Sequence, residues 1–220
     1  MLALGRATGT DGPGWQVRVV PNLYPAFARQ EVVVHAPTHV RSFAELDEAQ
    51  VEAVAEAWLL RRLAGAEAGL GYLHALVNEG RDAGASLAHS HSQLVWLGDE
   101  PPAVAAETGD AERLAERHGL VVAERGGAVA VVHEAGRTPY ESVILQRDEP
   151  LPTVLLLLRD LVRRLRAVEG PVPWNAWLHP GHLELVPRLS VFAGVELGAG
   201  IWVNAVAPEE AARALREAAV

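Results

Sequence analysis

The sequence predicts an α+β fold assembled from two similar halves. Three observations predict it. Short alternating runs of strand type are separated by proline and glycine signals, two long stretches carry apolar residues at helical spacing, and one order of parts occurs twice. In the first half, a Glu31-Val32-Val33-Val34 strand, a helix, a strand ending in Asn78 and a strand led by His89 follow one another. In the second, Glu141-Ser142-Val143-Ile144, a helix, a strand at Asn175 and a strand at His182 repeat that order. The order alone fits both a duplication and the ordinary alternation of an α+β chain.

The elements read as follows. Residues 1–14, rich in Gly and Thr, form a loose arm. Trp15 to Val20 alternates as a strand, and Glu31 to His35 is the next. Ser42-Phe43-Ala44-Glu45 has capping-box form, which predicts a helix N-terminus at Ser42. Val51, Val54, Ala55, Trp58, Leu59 and Leu63 continue that helix to Gly65. Strands follow over 72–78 and 93–97. Pro101-Pro102 and the polar stretch behind it mark the best boundary, giving a first half of 15–100, a linker with a short helix over 101–118, and a second half of 119–220. There, 121–123 and 128–132 form a hairpin around Gly126-Gly127, 141–145 a strand, and 154–168 a helix with its Arg163-Arg164-Arg166 cluster on the solvent face. Strands over 175–178 and 182–186 come next. A last helix opens at Pro208-Glu209-Glu210, where proline suits the first turn and the carboxylates suit the dipole.

Composition narrows the function classes. The 220 residues carry 28 acidic and 19 basic side chains, a net charge of −9, which argues against long nucleic acid as a partner because affinity there comes from neutralising phosphates. There is no cysteine, so disulfides, thiol catalysis and cysteine zinc sites are excluded. There is no lysine either, so every side-chain cation other than histidine is arginine. No apolar run reaches the roughly 20 residues of a membrane helix, and the N-terminus lacks the form of a secretory signal. A cytoplasmic protein without a membrane partner is the expectation.

The chemistry concentrates in Asn78 to Gln93, Asn-Glu-Gly-Arg-Asp-Ala-Gly-Ala-Ser-Leu-Ala-His-Ser-His-Ser-Gln. Its small-residue loop at Gly84-Ala85-Ser86 can bring backbone N–H groups to an anion. His89 and His91, at period two, share one side of an extended segment, with Gln93 in register. A neutral imidazole is a competent nucleophile toward an activated phosphoryl group near neutral pH. Asn78, Ser86 and Gln93 supply neutral donors for the developing charge. Alternating histidines are also found as structural residues or metal ligands.

Asn78 followed by Gly84-Ala85-Ser86-Leu87-Ala88-His89-Ser90-His91-Ser92-Gln93 resembles the active-site segment of the galactose-1-phosphate uridylyltransferase family, in the histidine-triad superfamily. Val20 to Ala26, Pro37-Thr38-His39, Pro139-Tyr140-Glu141, His182 to Arg188 and Gly194-Val195-Glu196 are similar to further stretches of that family, over roughly residues 15–217. The resemblance implies a tandem duplication of a histidine-triad-like unit, with antiparallel sheets and flanking helices. It implies that His91 becomes nucleotidylated, that Gln93 contacts the transferred phosphoryl group, and that Asn78, Gly84, Ala85 and Ser86 hold the nucleotide phosphates. His89 would orient the active loop, Asn22 would lie near the ribose, and Glu196 near the sugar hydroxyls. The implied reaction is ping-pong nucleotidyl transfer between a nucleotide sugar and a sugar phosphate, in galactose metabolism UDP-glucose and galactose 1-phosphate. Adenylyl transfer to phosphate from ADP-glucose or a dinucleoside polyphosphate is the alternative, and a nucleotide-sugar-binding protein without turnover is the rival of another class.

Two departures stand out. Ser90 occupies the family's usual proline position between the histidines, which predicts a looser loop. The family's longer members carry an upstream segment whose paired cysteines complete a zinc site with two histidines, so this sequence reads as a short form. His39 and His89 match those histidines and are expected to be hydrogen-bonding residues. His179, His182 and Glu184 could hold zinc or iron, but a polar strand face is the preferred reading, and no metal ligand is assigned. Glu107 lies in a loop whose position the sequence does not fix. Trp58, Trp96, Trp174, Trp177 and Trp202 read as core or interface, and a homodimer follows only by analogy.

Overall fold

The computed structural model describes residues 2–5, 14–107 and 111–220. Ten strands form one sheet: β1 (Leu2–Gly5), β2 (Trp15–Pro21), β3 (Arg29–Val34), β4 (Tyr72–Glu79), β5 (His91–Leu97), β6 (Val121–Arg125), β7 (Ala128–Val132), β8 (Ser142–Leu145), β9 (Trp174–His179) and β10 (His182–Pro187). The helices are α1 (Glu48–Glu67), α2 (Pro102–Ala105), α3 (Ala111–Ala115), α4 (Leu151–Glu169), α5 (Gly194–Ala199) and α6 (Pro208–Glu217). Across the sheet the order is β1-β2-β3-β5-β4-β9-β10-β8-β7-β6, and every pairing is antiparallel. Read inward from each side, β2-β3-β5-β4 and β7-β8-β10-β9 follow the same chain order, with α1 and α4 at the matching crossovers. The chain is therefore a tandem duplication. Its two half-sheets are joined edge to edge where β4 pairs with β9, setting Asn78 opposite Asn175.

Both long helices cover one face. The first begins at Asp47, whose carboxylate accepts the Gln50 N–H at 2.8 Å, and not at Ser42. Ser42 instead caps a single 3-10 turn over 43–45, and its hydroxyl donates to Glu79 at 2.6 Å. The Glu45 carboxylate reaches the Arg41 N–H, so the expected capping box does not form. Val51, Val54, Ala55 and Trp58 pack into the core beside the fully buried Val154, Leu155, Leu158, Leu161 and Val162 of α4. The arginines of α4 are not a bare solvent face. Arg163 donates to the Ala44 and Leu46 carbonyls, Arg164 to those of Leu215 and Arg216, and Arg166 to Glu45, stapling the helix to its neighbours. Leu2–Gly5, expected as loose arm, pairs with β2 as the edge strand.

The strand period then fixes which side chains face away from the helices. Trp58 of α1 donates to the Ser92 hydroxyl at 2.9 Å, and Leu94 and Trp96 share its core. His91 and Gln93 therefore point to the opposite face. On that face α3 covers only the far half, where Leu114 and Ala115 pack on Val129, Val131, Val143 and Leu145.

Candidate active site

The expected residues Asn78, Gly84, Ala85, Ser86, His89 and His91 line one cavity of about 910 Å³, together with Arg41, Arg81 and Arg166. Gln93 lies two residues further along the same strand face, outside that lining. Asn22 and Glu196 also lie outside it, each occupied locally: Asn22 accepts the Tyr24 N–H, and Glu196 the Ala193 N–H.

His91 is buried, and its Nδ1 lies 2.8 Å from the His89 carbonyl. A carbonyl only accepts, so Nδ1 carries the proton and Nε2 keeps its lone pair. That is the tautomer a nucleophile needs. The His89 ring is itself held, with Nε2 at 2.9 Å from the Ala36 carbonyl and Nδ1 at 3.3 Å from Nδ1 of His39.

Ser90 does not loosen this turn. Its N–H donates to the Val40 carbonyl at 2.8 Å, its carbonyl accepts from the His35 N–H at 3.2 Å, and its hydroxyl meets His35 Nδ1 at 2.9 Å. Three hydrogen bonds give the backbone the restraint that a proline ring would have supplied. His35 is fully buried, and burial first, then His91 and His89, holds its imidazole well below the ordinary value.

The phosphate loop departs from the expectation that its backbone amides stand free. Gly84, in the left-handed conformation at φ +87°, donates to the Arg81 carbonyl, and Ala85 N–H to that of Gly80. Donors at the cavity then include the N–H and hydroxyl of Ser86, the Asn78 amide and the guanidinium groups of Arg41 and Arg81. Glu79 closes its back wall, accepting from the Phe43 N–H at 2.7 Å. Burial raises its carboxyl, against the lowering effect of Ser42 and Phe43.

A second cluster lies on the same open face. His179 and His182, at the ends of β9 and β10, meet Glu184 and Glu107, with one ligand atom of each within 4.8 Å of all the others. Glu107, left unplaced by the sequence, is brought there by the segment behind α2 and binds His179 directly. Burial alone would lower the His182 imidazole, but Glu184 and Glu107 outweigh it and raise it. The polar strand face expected here is thus a four-membered donor set beside a cavity of about 1040 Å³. Of the tryptophans, Trp58, Trp96 and Trp174 are buried in the core, whereas Trp177 and Trp202 line this second cavity.

Comparison with known proteins agrees with this fold. Residues 23–102 match the family galactose-1-phosphate uridyl transferase, N-terminal domain. The solved structure of an ADP-glucose phosphorylase from Arabidopsis thaliana with bound ADP-glucose superposes with a TM-score of 0.85, covering 96% of this chain and 84% of that one at 25% identity. Over 23–102 the chain is thus similar to the uridylyltransferase family, and along nearly its whole length to the phosphorylase fold. Among its curated relatives, the Arabidopsis thaliana ADP-glucose phosphorylase is 26% identical over 93% of this chain and 75% of its own. A Streptomyces lividans galactose-1-phosphate uridylyltransferase is 33% identical over 41% of this chain and 27% of its own length. Both of these relatives carry the names of enzymes.

Proposed function

We propose that this protein transfers a nucleoside monophosphate from a nucleotide sugar to a phosphate-bearing acceptor through a covalent intermediate on His91. The observation that carries the reading is the bond from His91 Nδ1 to the His89 carbonyl, which leaves Nε2 as a nucleophile at the cavity. In the first half-reaction Nε2 attacks the α-phosphorus. The bond from that phosphorus to the bridging oxygen breaks, and a sugar 1-phosphate leaves with its electron pair. In the second, an acceptor phosphate oxygen attacks the same phosphorus, the P–N bond breaks, and His91 is returned neutral. Ser86, Asn78 and Gln93 would donate to the non-bridging oxygens, with Arg81 and Arg41 offsetting the charge of the second phosphate.

UDP-glucose with galactose 1-phosphate is the reading the catalytic segment supports. Adenylyl transfer from ADP-glucose to phosphate is the second reading, favoured by similarity to an ADP-glucose phosphorylase along almost the whole chain. Intact mass after brief incubation with each donor, without acceptor, decides between them. A gain of one UMP or one AMP, absent from His91→Asn, is the expected result. An unchanged mass with both donors, or an adduct that persists in the variant, would overturn the mechanism.

Two further parts belong to this reading. The two imidazoles and two carboxylates of His179, His182, Glu107 and Glu184 suit a divalent first-row cation such as zinc or iron, which would supply a structural cross-link there. A homodimer is supported by α5, which buries no residue, and by the exposed Val191, Leu197 and Ile201 around it. A second copy would cover that surface, and the sedimentation of the native protein tests it, a monomer removing the proposal.

A further inference from the structure

Two amide side chains that the proposed transfer uses, Gln93 and Asn78, are each hydrogen-bonded to a second amide that no motif singles out. Gln30, near the start of β3, donates from Nε2 to Gln93 Oε1 at 2.6 Å. Asn175, on β9 of the second half, donates from Nδ2 to Asn78 Oδ1 at 2.8 Å and to the Ala83 carbonyl at 2.8 Å. An amide presents a donor at one end and an acceptor at the other, and rotation by half a turn exchanges them. What matters is whether anything forbids that rotation.

Here the backbone forbids it. The Ala26 N–H can only donate, and its partner at 2.9 Å is Gln30, so that atom must be oxygen and the end facing Gln93 must be the NH2 group. Gln93 then has to receive with its oxygen, which leaves its own NH2 group for the face beside His91. The Ala83 carbonyl can only accept, so the Asn175 atom against it must be nitrogen. That nitrogen also meets Asn78, which must therefore receive with its oxygen. The free end of Asn78 is again NH2, at the cavity beside Gly84. Two backbone groups of opposite kind thus impose one outcome at both positions.

We propose that Gln30 and Asn175 are positioning residues that fix the donor polarity of Gln93 and Asn78, so that both present N–H groups to the phosphoryl oxygens during transfer from His91. This rests on the function proposed above. The physical reason is that a phosphoryl group presents only acceptors. An amide free to rotate would show it a carbonyl part of the time, replacing an attraction with a repulsion, and a donor held in place costs no reorganisation at the moment of reaction. Asn175 also gives the second half, which lends Arg166 to the cavity lining, a part in orienting a donor of the first half.

The test exchanges donor for acceptor at nearly constant shape. In Gln30→Glu the carboxylate still accepts from Ala26 but cannot donate to Gln93, which then turns its NH2 group toward it and its carbonyl toward the phosphoryl group. Asn175→Asp does the same to Asn78. Each variant is expected to slow adduct formation on His91 by about 100-fold, the loss that accompanies removal of one oriented donor, and to weaken binding of UMP or AMP. The ratio of variant to wild-type rate should climb again between about pH 8 and about pH 5, because a protonated carboxyl regains an O–H donor. Gln30→Ala and Asn175→Ala, which leave the amides free to rotate, should fall between. A merely structural role would lower the unfolding temperature without moving the pH ratio. Wild-type rates and affinities in all four variants, or a pH-independent ratio in the two acidic ones, would overturn the proposal. Monophosphate affinity reads the amides whether or not an adduct forms, so failure of the His91 reading is seen separately, in the wild-type mass.

Discussion

His35 sits beneath the two histidines of the cavity, fully buried, with Nδ1 at the Ser90 hydroxyl and Nε2 without a partner among the described residues. Protonation would leave an unpaired N–H on a buried cation, so the folded protein keeps it neutral and its pKa lies well below that of the unfolded chain. Below about pH 6.5 the unfolded state binds a proton that the folded state refuses, so stability falls as pH falls, until the folded pKa is reached. The slope for one proton is at most about 1.4 kcal/mol per pH unit. Urea unfolding of wild type and His35→Gln at a series of pH values checks this. The difference in stability should shrink or change sign steadily below about pH 6.5 and be flat above it. A difference independent of pH would show that His35 titrates alike in both states. The importance of His35 and Ser90 was not legible in the sequence, because their partnership spans 55 residues, whereas His89 and His91 announced themselves through spacing two apart. Gln30 was missed for the same reason, and Asn175, marked in the sequence only as the counterpart of Asn78 in the repeat, was given no role there. An orienting amide has no local pattern, and only the pairing of β3 with β5 and of β4 with β9 brings each to its partner.

At the scale of elements, the hairpin of β9 and β10 illustrates what a short motif can and cannot give. His179-Pro180-Gly181-His182-Leu183-Glu184 places three donors on one face because the turn is tight, with Gly181 at φ +81° and His179 opposite His182 in register. The fourth donor, Glu107, comes from another element, and three donors alone read equally well as a polar strand face. The acidic pair also bears on the field here. The Glu184 carboxyl is lowered, burial notwithstanding, by His182 and Arg137. A cation taken up by this set would tie the segment behind α2 to the hairpin, and so to the second half. Metal analysis of the purified protein should find a divalent ion that is lost in Glu107→Ala and His182→Ala. Chelation should lower the unfolding temperature of the wild type by about 5–10 °C, the shift expected when a ligand present at about a hundred times its dissociation constant is withdrawn, and should leave Glu107→Ala unmoved. Equal shifts in both proteins, or none in either, would show that the four side chains form a hydrogen-bonded network without an ion.

At the scale of the whole molecule, the duplicated order of parts was legible in the sequence, since it is carried by local spacing within each half. Their fusion into one sheet was not, because β4 and β9 lie almost a hundred residues apart in the chain and pair through backbone groups that carry no side-chain signature. The consequence is energetic. Each half-sheet, taken alone, would expose an unpaired edge at the seam, and α1 and α4, packed on the same face, share one apolar core. Neither half can therefore lose its structure without stripping the other of sheet hydrogen bonds and of core contacts, and the site inherits that dependence through Asn175. Unfolding should be a single transition across both halves. Leu161→Ala, which removes a buried side chain of α4 on the half that lacks His91, should lower stability by about 2–5 kcal/mol and shift the loss of nucleotide binding to the same lower urea concentration. With fluorinated tryptophan, the resonances of Trp58 and Trp96 in the first half and Trp174 in the second should be lost at one common midpoint, in the variant as in the wild type. Separate midpoints would mean that the seam between β4 and β9 is weaker than either half, and that the nucleotide cavity can stay assembled while the second half unfolds.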